Sequence, residues 1–235
     1  MSNDQASASE NGIPQNEYGR YCVPDGLEQR PASRAVLSGR VYEPDTLRFM
    51  RKHAGDGDII HAGAFFGDFI PALSSALAPE ARLWAFEPNP ANHHCATRTV
   101  ALHGLSNVTL TNAALSNCDG EALFQTRDAE GRSLGGLSKF VTEDGPGVEP
   151  VKAVMLDYVV PLDRKLSILQ LDVEGHEKQA LKGAWHLIHR WQPILILEYL
   201  DQAQWINRTF RGLNYTQIGK LHGNFVYATT PVTLD

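Results

Sequence analysis

Asp58-Ile59-Ile60-His61-Ala62-Gly63-Ala64-Phe65-Phe66-Gly67-Asp68 is the stretch on which the fold assignment turns. A short, mostly apolar run ends in a glycine, and a second glycine follows four residues later. Such a run bounded by glycine reads as a buried strand; residues 69–77, halted at Ala78-Pro79, read as the helix after it. The two glycines permit a tight turn and a close approach of backbone to a ligand. Taken alone they are equally well plain turn glycines. A dinucleotide fingerprint would continue as G-x-G-x-x-G, with a pyrophosphate at the helix N-terminus. The bulky Phe65-Phe66 pair fits that cradle poorly and fits better a nucleoside ligand without phosphates.

Outward from this unit the alternation continues. Residues 82–87 predict a second strand, stopped by Pro88-Asn89-Pro90; residues 91–103 predict a helix with Gly104 as its C-cap. Residues 108–112 and 166–173 predict a third and a fourth strand, and residues 193–198 a fifth. Between the last two, residues 176–190 carry Ala180, Leu181, Ala184, Leu187 and Ile188 at helical spacing. Near-continuous apolar strands separated by helices argue for an α/β fold, a mostly parallel sheet covered on both faces. Residues 215–221 and 225–229, joined through His222-Gly223-Asn224, read as a C-terminal antiparallel hairpin. Residues 1–16, rich in Ser, Asn, Gln and Ala, read as a flexible tail. Residues 17–57 read as an N-terminal lid region, with a short helix starting near Pro44. Residues 119–150, with Gly135-Gly136 and Gly145-Pro146-Gly147, read as a long loop or small insertion.

Composition bounds the function. With 235 residues, 43% hydrophobic and 20% charged, the chain suits one globular domain, or at most one and a small appendage, and excludes wholesale disorder. A net charge of −6 argues against a nucleic-acid partner, which needs a basic face. No apolar run approaches the ~20 residues of a membrane span, and the N-terminus has no secretory apolar region. A cytoplasmic protein with no membrane partner is expected, and the Asn-x-Thr sequences at Asn107, Asn207 and Asn214 carry no weight there. Cys22, Cys95 and Cys118 are too few and too scattered for a zinc site or a disulfide framework. The oligomeric state is not legible.

Ligands of open α/β sheets sit beyond the carboxyl ends of the strands. Glu87 ends the second strand, where a carboxylate can accept both hydroxyls of a ribose; the plain alternative is a surface acid before a proline-rich turn. The fourth strand runs into Leu171-Asp172-Val173-Glu174-Gly175-His176-Glu177, four ionisable groups at the same edge. Helix capping accounts for one or two of them, not all four. His93-His94-Cys95 points its side chains to different sides of a helix, and His176-Glu177 lacks the second histidine of H-E-x-x-H, so no metal site is assigned.

These blocks, with Tyr42-Glu43-Pro44, Ala85-Phe86-Glu87-Pro88-Asn89-Pro90, Asn112-Ala113-Ala114-Leu115-Ser116, Leu181-Lys182-Gly183-Ala184 and Pro193-Ile194-Leu195-Ile196-Leu197-Glu198, resemble the FkbM family of S-adenosylmethionine-dependent methyltransferases over roughly residues 40–200. The resemblance implies a Rossmann-like class I methyltransferase fold over residues 58–235, with a seven-stranded sheet whose last strand is antiparallel. It implies S-adenosylmethionine as cofactor, leaving as S-adenosylhomocysteine. Residue by residue, it places His61, Gly63, Ala64, Gly67 and Asp68 beside the cofactor's amino-acid part. Glu87 and Pro88 fall at the ribose, Asn112 and Ala113 at adenine, and Asp172 at the methionine part and the reacting methyl. His61 stands where the family usually has Asp: a neutral histidine only hydrogen-bonds where an acid would attract a cation, and Asp68 is a candidate to compensate. The family's activity suggests O-methylation of a hydroxyl on a small molecule, a sugar or a polyketide-type acceptor. Methyl transfer needs chiefly proximity and alignment. The alcohol proton needs a base, for which Glu174 or His176 are the candidates, with Asp172 positioning the cofactor or sharing that proton. Residues 18–42 and Gly135-Gly136-Leu137-Ser138 are candidate covers for the site. A Mg²⁺-assisted variant would draw on Asp157, Asp172, Glu174 and His176. Two other classes stay open: a non-catalytic nucleoside-cofactor-binding protein of the same fold, and an NAD(P)-dependent oxidoreductase.

Overall fold

The computed structural model describes residues 12–198 and 203–234. From the amino end the elements are β1 (Gln15–Asn16), β2 (Gly19–Arg20), α1 (Pro31–Leu37), α2 (Pro44–His53), β3 (Asp58–Ala62), α3 (Ile70–Ser74), β4 (Leu83–Phe86), α4 (Pro90–His103) and β5 (Val108–Thr111). Next come β6 (Ala114–Leu115), β7 (Gly120–Gln125), β8 (Lys139–Phe140), β9 (Val148–Val154), α5 (Leu156–Val159) and β10 (Leu166–Leu171). The last are α6 (Glu177–Lys182), α7 (Trp185–Trp191), β11 (Ile194–Leu197), α8 (Ala203–Thr209), β12 (Thr216–Leu221) and β13 (Asn224–Ala228).

Seven strands form the main sheet in the order β12-β13-β11-β10-β3-β4-β5. β5, β4, β3, β10 and β11 pair in parallel, and β13 runs antiparallel to both its neighbours. The chain winds outward from β3 through β4 to β5, then returns to lay β10 on the other side of β3. That reversal makes the β3/β10 edge the topological switch point. Alternate strand residues feed two cores. Ile60, Leu169, Leu171 and Leu195 meet Leu181, Leu187 and Ile188 of α6 and α7 on one face. Ile59, Leu83, Ile168 and Ile196 meet Leu47, Met50, Ile70 and Leu73 of α2 and α3 on the other. At the amino end of β3, buried Asp58 accepts hydrogen bonds from Arg164 (2.5 and 2.6 Å), Trp84 Nε1 (2.7 Å) and the Arg82 backbone (2.8 Å), clamping the edge opposite the switch point.

Several boundaries depart from the sequence reading. Residues 1–11 of the expected tail lie outside the described residues, while Gln15–Asn16 pair with Gly19–Arg20 as a small antiparallel hairpin. Residues 119–150 are not a plain loop. β7 and β8 lie in a four-stranded sheet of order β6-β9-β7-β8. The helix expected over 176–190 is two helices, α6 and α7, because the chain turns at Gly183. A Cβ at Gly183 would overlap the Ser116 carbonyl oxygen, so only glycine allows that close crossing. No helix among the described residues is long and apolar enough to cross a membrane.

Candidate functional site

A cavity opens at the switch point, beyond the carboxyl ends of β3, β4, β10 and β11. Its floor is the turn after β3. Gly63 has φ +84°, and a Cβ there would run into the Asp172 carbonyl oxygen. The backbone N–H groups of Gly63 and Ala64 both donate to the Phe86 carbonyl at 3.0 Å, and Gly67 N–H donates to the Ala64 carbonyl at 2.7 Å. Phe65 takes a left-handed φ of +47°, which turns its N–H onto Glu87 Oε2 at 2.8 Å and leaves its ring on the cavity wall. Ala64 and Gly67 therefore shape the turn, while Gly63 and Phe65 face the cavity.

Glu87 ends β4 and is buried. Its Oε1 accepts from Asn89 N–H (2.9 Å) and Asn92 Nδ2 (3.3 Å). Burial pushes its pKa up to about 7 in spite of those bonds. Oε2, with one protein donor, keeps an acceptor position. Beside it Pro88, Ala113, Leu115, Phe124 and Phe140 make an apolar wall, with Phe124 edge-on to Phe140 at 5.4 Å. The second sheet thus supplies a wall of the cavity. Asn112 does not line it: its amide donates to the Glu87 and Pro88 carbonyls (2.7 and 3.0 Å) and braces two strand ends.

The opposite flank is acidic. Asp172, Glu174 and Glu198 each offer a carboxylate oxygen, and these lie within 4.8 Å of one another. Burial first, and then the neighbouring Glu198, holds the Asp172 pKa well above the carboxylate range. Asp68, after the turn, is pushed up to about 7 by burial. Glu43, from the start of α2, is raised for the same reason and accepts from Asn224 Nδ2 at 2.7 Å. Sequence reasoning does not single out Glu43 or Glu198 as site residues. Glu198 nevertheless carries the same signal as Glu87 and Asp172, an acid ending a parallel strand.

His176 is set back from this flank. Its ring stacks on Phe140 (3.7 Å, 21°), and Nε2 meets Ser116 Oγ at 3.1 Å. Glu177 is a local brace, accepting from Gly175 N–H at 3.3 Å. Nor do the four residues that a Mg²⁺-assisted variant would draw on come together. The Asp157 carboxylate accepts from His186 and Leu187 N–H (2.9 and 3.0 Å) and caps α7.

His61 and Gln170 interrupt the apolar α2/α3 face of the sheet as a cross-strand pair. His61 Nδ1 is hydrogen-bonded to Gln170 Oε1. Because that oxygen can only accept, the ring proton sits on Nδ1 and Nε2 is a bare acceptor. Burial lowers the His61 pKa to about 4, so the ring is neutral. Phe69 stacks on it at 5.3 Å, fixing its plane. Nε2 is buried and has no hydrogen-bond partner among the described residues.

This architecture is shared with known proteins. A family model described as the methyltransferase FkbM domain matches residues 61–217. No curated protein matches the chain. Among solved structures, the methyltransferase FkbM from Methylobacillus flagellatus KT is similar with a TM-score of 0.54 at 17% identity; the match covers 74% of this chain and 43% of that one, so the chain spans less than half of that relative. A SAM dependent methyltransferase from Aquifex aeolicus matches at TM-score 0.44 and 12% identity, covering 80% of this chain and 89% of that one. Precorrin-6y C5,15-methyltransferase from Geobacter metallireducens GS-15 matches at TM-score 0.43 and 14% identity, covering 88% and 92%.

Proposed function

Because the chain belongs to the FkbM family of methyltransferase domains, we propose that it transfers a methyl group from S-adenosylmethionine to a hydroxyl of a small-molecule, sugar or polyketide-type acceptor in the cytoplasm. One observation carries the cofactor assignment. A buried carboxylate, Glu87, ends β4 beside a glycine turn and an apolar wall, and keeps an acceptor position on Oε2. That arrangement of acceptor, turn and apolar wall fits a nucleoside. The acid would hold ribose hydroxyls, and the wall with Ala113 would take a flat base. Bound there, the cofactor supplies a methyl group on a sulfonium, already activated for displacement.

The chain's own residues align, dehydrate and take a proton. Pro31 and Ala32 of α1, and Gly136 and Leu137, wall the cavity from outside the sheet and limit access of water. A hydroxyl acceptor must lose its proton as the new bond forms. Asp172, with Glu198 beside it, is suited to receive it: burial first, and then the neighbouring Glu198, raise the proton affinity of its carboxyl well above the ordinary value. Glu174 stands at the same flank. His176, behind Phe140, supports the wall and is a weaker candidate base.

The test is isothermal titration of the folded protein with S-adenosylmethionine and S-adenosylhomocysteine, with Glu87→Ala and Glu87→Gln alongside. Micromolar binding by the wild type, weakened on the order of 10-fold or more in both variants, is expected. Absence of binding by folded wild type overturns the reading, and binding of a nicotinamide dinucleotide in its place would favour an oxidoreductase.

A further inference from the structure

Two cysteines that lie far apart in the chain meet in the structure. The N-terminal segment runs along one stripe of α4, on which Cys95, Thr99 and His103 follow one another at i, i+4 spacing. His103 Nε2 donates to the Arg20 carbonyl at 2.8 Å. Two residues on, Cys22 N–H donates to Thr99 Oγ1 at 3.1 Å. The segment thus passes down the stripe one turn at a time, and the next turn carries Cys95. There the Cys95 thiol donates a hydrogen bond to Cys22 Sγ. The surroundings hold this approach in place. Tyr21, beside Cys22, is buried edge-on against Phe66 at 6.3 Å, and Thr99 Oγ1 donates in turn to the Phe66 carbonyl at 2.9 Å. Cys95 is buried and Cys22 half-buried, while Cys118 is exposed and elsewhere.

We propose that Cys22 and Cys95 are a site of reversible oxidation, joined by a low-molecular-weight disulfide such as oxidised glutathione, and that the bond fastens the N-terminal cover to α4. Cys22, the member that solvent reaches, reacts first. Its thiolate attacks one sulfur of the small disulfide, a mixed disulfide forms and one small thiolate leaves. Cys95 then attacks the Cys22 sulfur, the protein S–S bond forms and the second small thiolate leaves. In sum the two protein thiols give up two electrons and two protons, and the small disulfide departs as two thiols. Burial, and then the bond to Cys22, push the Cys95 pKa up to about 12, so Cys95 keeps its proton until the second step and is inert on its own. The bond reaches the cavity from both of its ends. Beyond Cys22 the segment lays Leu27 over Gly135, where a Cβ would meet it at 2.9 Å, and then lines the cavity with Pro31 and Ala32. Three residues before Cys95, Asn92 Nδ2 donates to Glu87 Oε1 and to the Gly135 carbonyl (3.3 and 3.2 Å). Oxidation therefore ties the cover to the helix that braces Glu87. This holds whether or not the cavity takes a methyl donor.

The folded full chain is equilibrated with mixtures of reduced and oxidised glutathione, trapped by alkylation and mapped as non-reduced peptides by mass spectrometry. The expected product is a peptide pair linked through Cys22 and Cys95, lost again on addition of dithiothreitol. Exposed Cys118 serves as the control within the molecule and should stop at its glutathione adduct. Cys22 and Cys95 both left free while Cys118 is modified, Cys22 halted at its own adduct, or Cys118 as the main partner of either, overturns the pairing. The fastening is read separately. Hydrogen exchange of residues 17–37 should slow by on the order of 10-fold on oxidation of the wild type. The melting temperature should rise by roughly 5 °C or more, since the bond closes a long loop in the unfolded chain. Cys22→Ser and Cys95→Ser, treated in the same way, should show neither change. Should a variant fail to fold, the wild type before and after dithiothreitol supplies the same comparison. Unchanged exchange in a chain shown to hold the bond overturns the fastening. A lower melting temperature of that chain overturns the claim that the fold presents the two thiols ready to join.

Discussion

Gly63 has the least latitude of any residue at the site. Its φ of +84° and its contact with the Asp172 carbonyl both forbid a side chain. Gly63→Ala is expected to cost about 3 kcal/mol or more, since strain and overlap act together; urea denaturation reads this as a lower midpoint, and an unchanged midpoint would contradict the account. Residues of this kind are legible in the sequence because local constraint leaves a local mark. A glycine follows an apolar run, and an acid closes a strand at Glu87 and Asp172. Arg30 and Glu43 leave no such mark. Their place on the cavity wall comes from packing of the N-terminal segment over the sheet edge, a long-range event with no period or spacing to read. His61 is visible as a departure from an acid, but its meaning needs Gln170, which lies 109 residues away and touches it only across the β3/β10 pair.

The long elements are legible and the short ones are not, for a physical reason. β3, β10 and β11 are buried on both faces, so their sequences are nearly unbroken apolar runs. β7 shows its first two residues to solvent and buries one of six, and β8 has two residues in all, so neither run stands out from a loop. The division between α6 and α7 is hidden because the helical spacing of apolar residues carries on through it. The cause is the Ser116 carbonyl, contributed from another part of the chain. At this scale the clamp on β3 makes its own prediction. Asp58 is buried and holds Arg164 by two bonds, while Arg164 is about one-third exposed. Asp58→Asn leaves a cation that water can partly reach, so the loss should be about 2–3 kcal/mol, below that of a fully buried pair. Chemical denaturation should register it, while titration with S-adenosylhomocysteine should not, because Asp58 lies at the edge opposite the cavity. A matching loss of ligand affinity would refute that separation.

For the molecule as a whole, acids crowded at one edge set the response to pH. Asp68 and Glu87 are raised from ordinary values of 3.8 and 4.5 to about 7. A folded pKa above the unfolded one means that the native state holds protons the unfolded chain has released. Their contribution is complete below about pH 4 and is lost as pH rises through about 7. His61, lowered from 6.5 to about 4, works the other way below pH 6.5, with one proton against two. The sum favours acid: the melting temperature of the free protein should fall by several degrees between pH 5.5 and pH 8 in scanning calorimetry. A rise over that interval would show that these carboxyls are ionised in the native state at pH 5.5. The order of the sheet has a consequence of another kind. β13 is inserted between β11 and β12, yet it is the last of the three along the chain. During synthesis the edge of β11 is complete at residue 197 and must wait for residues 224–228 before it is covered. A chain in which β13 has not yet docked has a bare edge on β11, open to chaperones and to mispairing with a neighbouring chain, so the closing of the sheet waits on its last strand.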